Sequence, residues 1–519
     1  MRTLQSHLEG RFASGEGKGE TLLNPATEEP LCEVKAEGLD RKAALDFARA
    51  KGGPALRSMS FAFRGAMLRT MCDVVQAHRE ELIELAVVNG GNTRGDAKFD
   101  IDGAAFTLAA YADLGQALGE TSLLVDGEGV QLGRTPRFHG QHIRVARHGV
   151  AVHINAFNFP AWGMLEKAAA ALLAGMPVVS KPATSSAMLA HRIVEILVER
   201  NVLPEGAFSL LLGSAGDLLQ HVGPRDVVAF TGSSTTGELI RAMPAVIRNS
   251  VRVNVEADSL NAAVLGPDGD PGSEIYDYFV KDVLRDMTQK AGQKCTAIRR
   301  VLVPQGVADR VRDDLADRLA SIVVGNPASE GVRMGPLATA QQKKDVREGI
   351  DALARDGRLV FGVSDLKPVG APEGKGYFVS PVLLEVEPGA EAPTVHSREV
   401  FGPAATIVPY SGKADEAAAI VARGQGGLVS SVYSEDVAFT SEVVLGLAPF
   451  HGRVFLGSAK IAEQSPGPGT VLPALVHGGP GRAGGGEELG GLRGLEFYMQ
   501  RVALEGSRPV IDRIVGKGP

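Results

Sequence analysis

Apolar residues follow two regimes along this chain. Between about residues 40 and 118 they recur every three or four positions. From about residue 150 they gather in short runs separated by helical stretches. The first regime predicts helices over 40–51, 58–88 and 95–118. The second predicts strands at 150–155, 177–181, 208–212, 227–230 and 251–255, alternating with helices at 162–173, 186–199, 215–222 and 235–247. Repeated βα units imply a parallel sheet covered on both faces, with ligands at the carboxyl ends of its strands. A second α/β series starts near Asn261, with helices over 275–290 and 307–322 and strands over 300–303, 358–361, 377–384 and 404–409.

Three segments fit neither regime. Residues 1–40 read as a lead-in with turn signals such as Asn24-Pro25. In 123–148, Gly127, Gly129, Gly133, Pro136 and Gly140 punctuate short alternating runs, which predicts a projecting β-hairpin with an edge suited to a partner subunit. Residues 463–494 are rich in Gly and Pro and read as loops, and the tail after Gly494 ends in a strand able to pair with the hairpin.

Length and composition narrow the class. A chain of 519 residues exceeds one core, so two or more domains are expected. The net charge of −7 argues against nucleic acid or an anionic membrane as the main partner. Three cysteines without CxxC spacing fit a reducing compartment and no metal site. The polar N-terminus lacks the apolar core of a signal peptide, and no apolar run reaches membrane-spanning length, so a cytoplasmic protein is expected.

Candidate chemistry centres on Cys295, on a turn between a helix and a strand, within Gly292-Gln293-Lys294-Cys295-Thr296. A thiol there is a candidate nucleophile, although composition alone fits a buried structural cysteine as well. Asn158 ends the first strand of the α/β series, where an amide can donate to a developing oxyanion. Glu256 ends an alternating strand and is a candidate general base, and Glu166 sits in an apolar helix that would raise its pKa. Gly232, Ser233 and Gly237, in Phe230-Thr231-Gly232-Ser233-Ser234-Thr235-Thr236-Gly237, open a helix after a strand, where free N–H groups favour a phosphate. The spacing is neither GxGxxG nor a P-loop, and a plain βα turn fits it equally. Lys181 and Thr184 stand at another strand end, before a helix that Ser185 or Ser186 would cap.

Taken in order, these motifs resemble the aldehyde dehydrogenase superfamily over nearly the whole chain. The resemblance rests on Asn158-Phe159-Pro160, Lys181-Pro182-Ala183, Phe230-Thr231-Gly232-Ser233, Glu256, Gly292-Gln293 with Cys295, and Glu399-Val400-Phe401-Gly402-Pro403. It implies an α/β fold with three parts. These are a Rossmann-like cofactor domain (1–122 and 149–258), a catalytic domain (259–485) and a small β oligomerisation element (123–148 and 486–519). It also implies a homodimer or homotetramer. Cys295 would attack the aldehyde and pass through a thiohemiacetal and a thioester, with Asn158 at the oxyanion. Glu256, Glu166 or Glu496 would handle protons. Lys181, Thr184, Ser186, Gly213, Gly232, Ser233, Gly237, Glu399 and Phe401 would contact the cofactor. Many NAD-dependent members carry Glu where this chain has Thr184, which implies NADP. Departures such as Glu256-Ala257-Asp258-Ser259-Leu260, Phe157, Glu166 and Gly478-Gly479-Pro480-Gly481-Arg482 resemble a smaller branch. That branch oxidises CoA-linked semialdehydes in the degradation of aromatic compounds such as benzoate. Without a hydratase-like extension, the chain fits the branch's single-domain form. Arg and His residues of 134–148 are the candidate contacts for CoA. The alternatives are a CoA-acylating enzyme and a non-catalytic protein retaining the fold.

Overall fold

A computed structural model describes residues 1–516. The last three positions of the expected 486–519 element lie outside the described residues.

Two seven-stranded sheets dominate. The first runs Arg252–Glu256, Val227–Thr231, Ala151–Ile154, Val178–Lys181 and Phe208–Leu210 in parallel, and then adds Ser6–Leu8 and Arg11–Ala13 antiparallel. Its central strands are buried almost throughout, as strands covered on both faces must be. The second runs Arg358–Phe361, Val382–Glu385, Ala404–Tyr410, Arg300–Pro304, Ala262–Leu265, Gly427–Tyr433 and His451–Gly457, all parallel except the first. The lead-in therefore is not a free segment. It extends the first sheet and also builds a three-stranded sheet from Arg2–Leu4, Pro30–Val34 and Glu20–Leu23.

The helix Trp162–Ala174 lies at the centre of the first half, buried on all sides but for Gly163. Ala and Leu fill its length, and Gly175 ends it in the left-handed conformation (φ 91°). Helices Phe61–Ala77 and Arg94–Leu118 pack beside it, closely enough that a Cβ on Gly65 would meet the carbonyl of Ala112 at 2.7 Å.

Several predicted elements divide. The 58–88 helix becomes Phe61–Ala77 and Arg79–Gly90, separated at His78 (φ −108°, ψ 14°). The 235–247 helix becomes Ser234–Arg241 and Pro244–Arg248, because Pro244 has no N–H to continue the first. The 215–222 helix shrinks to one turn at Leu218–His221, and the 377–384 strand begins only at Val382. The hairpin forms as Leu123–Gln131 and Phe138–Ala146, and Met499–Ser507 pairs antiparallel with its second strand. The 463–494 segment is not all loop. Val476–Gly479 and Gly486–Leu489 form a hairpin that packs on the strand Arg252–Glu256.

Candidate active site

Cys295 is presented by an unusual turn. Lys290, Ala291 and Gly292 all have positive φ (53°, 51° and 69°), immediately after the helix Glu274–Thr288. Two non-glycine residues in this region cost about 1–3 kcal/mol each unless the surroundings hold them. Here they do. Asn261 Nδ2 donates to the carbonyls of Cys295 (2.8 Å) and Ala297 (2.9 Å). Buried Arg299 donates to the carbonyls of Gly292 (2.9 Å), Lys294 (3.2 Å) and Gly402 (2.8 Å). Gly292 is obligatory, because a Cβ there would lie 2.2 Å from the Gly402 carbonyl oxygen.

The amide of Asn158, 8% exposed, donates to the Gln293 carbonyl at 3.1 Å and so sits beside the cysteine turn. Glu256 follows the strand register that pairs it with Thr231, both at the carboxyl end of the first sheet. Glu166 and Lys167 come from the buried helix. Lys167 Nζ bridges Glu166 (3.6 Å) and Glu488 (3.1 Å), and Asn254 Nδ2 donates to Glu488 at 3.0 Å. Oxygens of Glu166, Glu256 and Glu488 all lie within 4.8 Å of one another.

His477 joins this group from the late hairpin. Its Nε2 is 3.3 Å from a Glu256 oxygen and 3.9 Å from Cys295 Sγ. The charges set one another. Burial pushes the Cys295 thiol up, and the Glu256 carboxylate pushes it further, so the resting sulfur is protonated. Burial would also raise Glu256, but the charge and hydrogen bond of His477, joined by Lys167 and the Cys295 hydrogen bond, together outweigh it and hold the carboxyl below its usual range. Burial would lower His477, but Glu256 and then Glu166 reverse the sign and raise it. Burial lifts Glu166 to about 7 against the pull of Lys167, with Glu488 assisting.

Two cavities meet at the sulfur. A narrow one of about 40 Å³ is walled by Phe99, Phe159, Trp162 and Val471. On the other side lies a cleft of about 670 Å³ walled by Gly232, Ser233, Glu399, Phe401, Arg398 and Arg482. Cys295, Asn158, Glu256 and Thr231 line both. The cleft has the features of a nucleotide site. Glu399 Oε1 and Thr231 Oγ1 are buried there without a hydrogen-bond partner, and burial lifts Glu399 to about 7, with Arg299 Nε 3.9 Å away. At the helix Ser234–Arg241, Asp258 accepts from the Ser234 N–H (3.1 Å) and hydroxyl (2.7 Å).

The structure distributes the other sequence candidates unevenly. Ala183 lines the cleft, with Lys181 two residues before it and Thr184 next to it on the turn Thr184–Ser186. Lys181, Thr184, Ser186, Gly213 and Gly237 do not themselves line it. Ser186 is buried, Gly213 is a left-handed turn (φ 79°) packed on Ala36, and Gly237 lets its helix approach Val255. Glu496 is not brought to the sulfur. It is part-exposed and paired with Arg144 at 2.8 Å, beside the three-stranded sheet. The third carboxylate of the cluster is Glu488 instead. His477 and Glu488 escaped sequence reading because glycines around them suggested loops. The Val476–Gly479 and Gly486–Leu489 runs were the available signal for a hairpin. Among 134–148, Arg144 and Arg147 are engaged within the fold, whereas Arg134 and Arg137 are exposed.

One sulfur reached from two sides is the arrangement of an oxidoreductase that holds its substrate covalently while a nucleotide takes electrons from the opposite face. The chain belongs to the aldehyde dehydrogenase family, whose profile matches residues 12–503. It is 48% identical over 478 residues to 3,4-dehydroadipyl-CoA semialdehyde dehydrogenase of Aromatoleum evansii, covering 92% of this chain and 93% of that one. It is 28% identical to an NADP(+) succinate-semialdehyde dehydrogenase of Escherichia coli (strain K12), covering 94% of each. Betaine aldehyde dehydrogenase of Staphylococcus aureus, solved with NAD+, superposes with a TM-score of 0.82 at 23% identity, over 97% of this chain and 95% of that one. Among the described residues no helix is long and apolar enough to cross a membrane.

Proposed function

We propose that this chain oxidises a CoA-linked semialdehyde, of the 3,4-dehydroadipyl-CoA type, to the carboxylic acid with NADP+. The observation that carries the reading is the meeting of Cys295, the Asn158 amide and two buried carboxylates at the junction of a narrow pocket and a nucleotide-sized cleft. Similarity to the Aromatoleum evansii enzyme at 48% identity supports the substrate class.

The Cys295 thiol gives its proton to Glu256, and the sulfur attacks the carbonyl carbon. The oxygen that becomes negative is held by the Asn158 amide and the Cys295 N–H, donors fixed before the reaction begins. Gly232, Ser233, Glu399 and Phe401 would hold the cofactor, and Lys181 and Thr184, on either side of cleft-lining Ala183, would serve its adenosine ribose. The bound cofactor supplies the hydride acceptor. The thioester left on Cys295 is then hydrolysed by a water that Glu166 or Glu256 deprotonates. Glu166, lifted to about 7, is the stronger base of the two and takes this step. Thr184 leaves room for a 2′-phosphate that a Glu would repel, and Lys181 adds positive charge. A water-activating carboxylate is redundant if CoA takes the acyl group, which argues against a CoA-acylating enzyme. The three-stranded sheet, with Val130, Phe138 and Val502 exposed, is the contact between copies in a homodimer or homotetramer.

Steady-state assays of NADPH formation test the reading. A CoA-linked semialdehyde should exceed succinic semialdehyde in kcat/KM by at least about tenfold, about 1.4 kcal/mol of discrimination. NADP+ should exceed NAD+, Cys295→Ala should be inactive, and free acid should form without added CoA. Equal use of short aldehydes would refute the substrate class, a strong NAD+ preference would refute the cofactor, and acyl-CoA formation only with free CoA would favour the acylating alternative.

A further inference from the structure

A buried imidazole, that of His477, faces the sulfur. One nitrogen, Nε2, faces two acids at once: a Glu256 oxygen at 3.3 Å and Cys295 Sγ at 3.9 Å. The other nitrogen, Nδ1, is buried with no side-chain or backbone partner, so the only engaged nitrogen is the one turned into the reaction centre. The residue is 2% exposed and lines the narrow pocket together with Cys295, Glu256 and Glu166.

We propose that His477 is a further catalytic residue, an imidazolium whose Nε2–H is handed from the Glu256 carboxylate to the Cys295 thiolate as the thiol loses its proton. The exchange balances. The Sγ–H bond breaks and an O–H bond forms on Glu256, so the negative charge moves from oxygen to sulfur. Both positions face the same Nε2–H, and the cation therefore neutralises the anion before and after the transfer. No charge is left unpaired among these buried groups, where separating such charges would cost most. Without the cation, Glu256 would be driven by burial toward its neutral form and could not accept the thiol proton.

The surroundings are consistent with a ring that stays charged. Glu256 faces it from the strand Arg252–Glu256 and Glu166 from the buried helix, with Lys167 and Glu488 behind them. Arg453, on the strand His451–Gly457, opposes the charge, and the two carboxylates outweigh it. A thiolate held by an adjacent imidazolium is a recurrent way to keep sulfur nucleophilic near neutral pH.

This inference rests on Cys295 as the nucleophile but on no particular aldehyde, so the deciding measurement uses no substrate. Alkylation of the full-length protein by iodoacetamide is followed against pH, with the modified Cys295 peptide counted by mass spectrometry. Cys32 and Cys72 are buried whereas Cys295 is part-exposed, so they do not compete. In His477→Phe and His477→Gln the alkylation rate at pH 7.5 should fall at least about tenfold, with the pH midpoint moved up by one unit or more. The kcat/KM should fall about a hundredfold, the low end for loss of an acid–base group. Cofactor affinity of His477→Gln should stay within twofold, and its far-UV spectrum should match the wild type. Wild-type alkylation in both variants would overturn the proposal even if turnover fell, because the histidine would then act only through packing. If His477→Phe fails to fold, His477→Gln decides alone.

Discussion

A single side chain in this site takes its character from burial and from one or two neighbours. Glu166 is the clearest case. It lies in an alanine-rich helix that hides its carboxyl, and the charges of Lys167, at 3.6 Å, and of His477 offset only part of the loss of water. A base must be ionised to act, so hydrolysis of the thioester should speed up as pH rises through about 7. Glu166→Gln should flatten that limb, lower kcat about a hundredfold and leave a full first-turnover burst of NADPH, measured by stopped flow. A burst that vanished with kcat would place Glu166 in the first half-reaction. Cys295, Asn158, Glu256 and Glu166 stood out as residues, because each lies in a patterned helix, at a strand end or on a turn that joins such elements. Glu496 was equally visible but is drawn away by Arg144. What a carboxylate pairs with depends on residues hundreds of positions distant, and no local pattern encodes that.

Elements were legible where hydrophobic spacing was long and regular, and less so where the backbone bends. The parallel strands read as short apolar runs, and the buried helix read as a helix. The turn that holds Cys295 did not read as strained, because Lys290 and Ala291 carry no signature of positive φ. Tertiary hydrogen bonds from Arg299 and Asn261 anchor the residues that follow Lys290 and Ala291, namely Gly292, Cys295 and Ala297. Gly292→Ala should therefore do more than its chemistry suggests. Its Cβ would press on the Gly402 carbonyl, so the turn must shift and carry the sulfur with it. A loss of about 2 kcal/mol or more in urea unfolding is expected, together with at least a tenfold fall in kcat. Unchanged kcat in a folded Gly292→Ala protein would show that the turn tolerates displacement.

At the scale of the molecule, the antiparallel sheet of Leu123–Gln131, Phe138–Ala146 and Met499–Ser507 stands apart from the two large sheets. It joins a hairpin to a tail more than 350 positions away, and it leaves Val130 (59%), Phe138 (46%) and Val502 (39%) exposed. Apolar side chains gathered on one small exposed sheet fit a contact between copies. Val130→Glu with Phe138→Glu should lower the mass found by light scattering toward a single chain of 54.4 kDa, with the far-UV spectrum unchanged. An unchanged mass would assign assembly to another surface.

The amino-acid order alone determined the alternation of strands and helices, the position of a candidate nucleophile on a turn, and the resemblance to one family, because these depend on residues close together along the chain. It did not determine which acids surround the sulfur. His477 and Glu488 arrive on a hairpin folded back from near the C-terminus, and Lys167 sits between two carboxylates only once that hairpin is docked. Protonation in a dry site follows from distances between such groups, and those distances exist only in the folded chain.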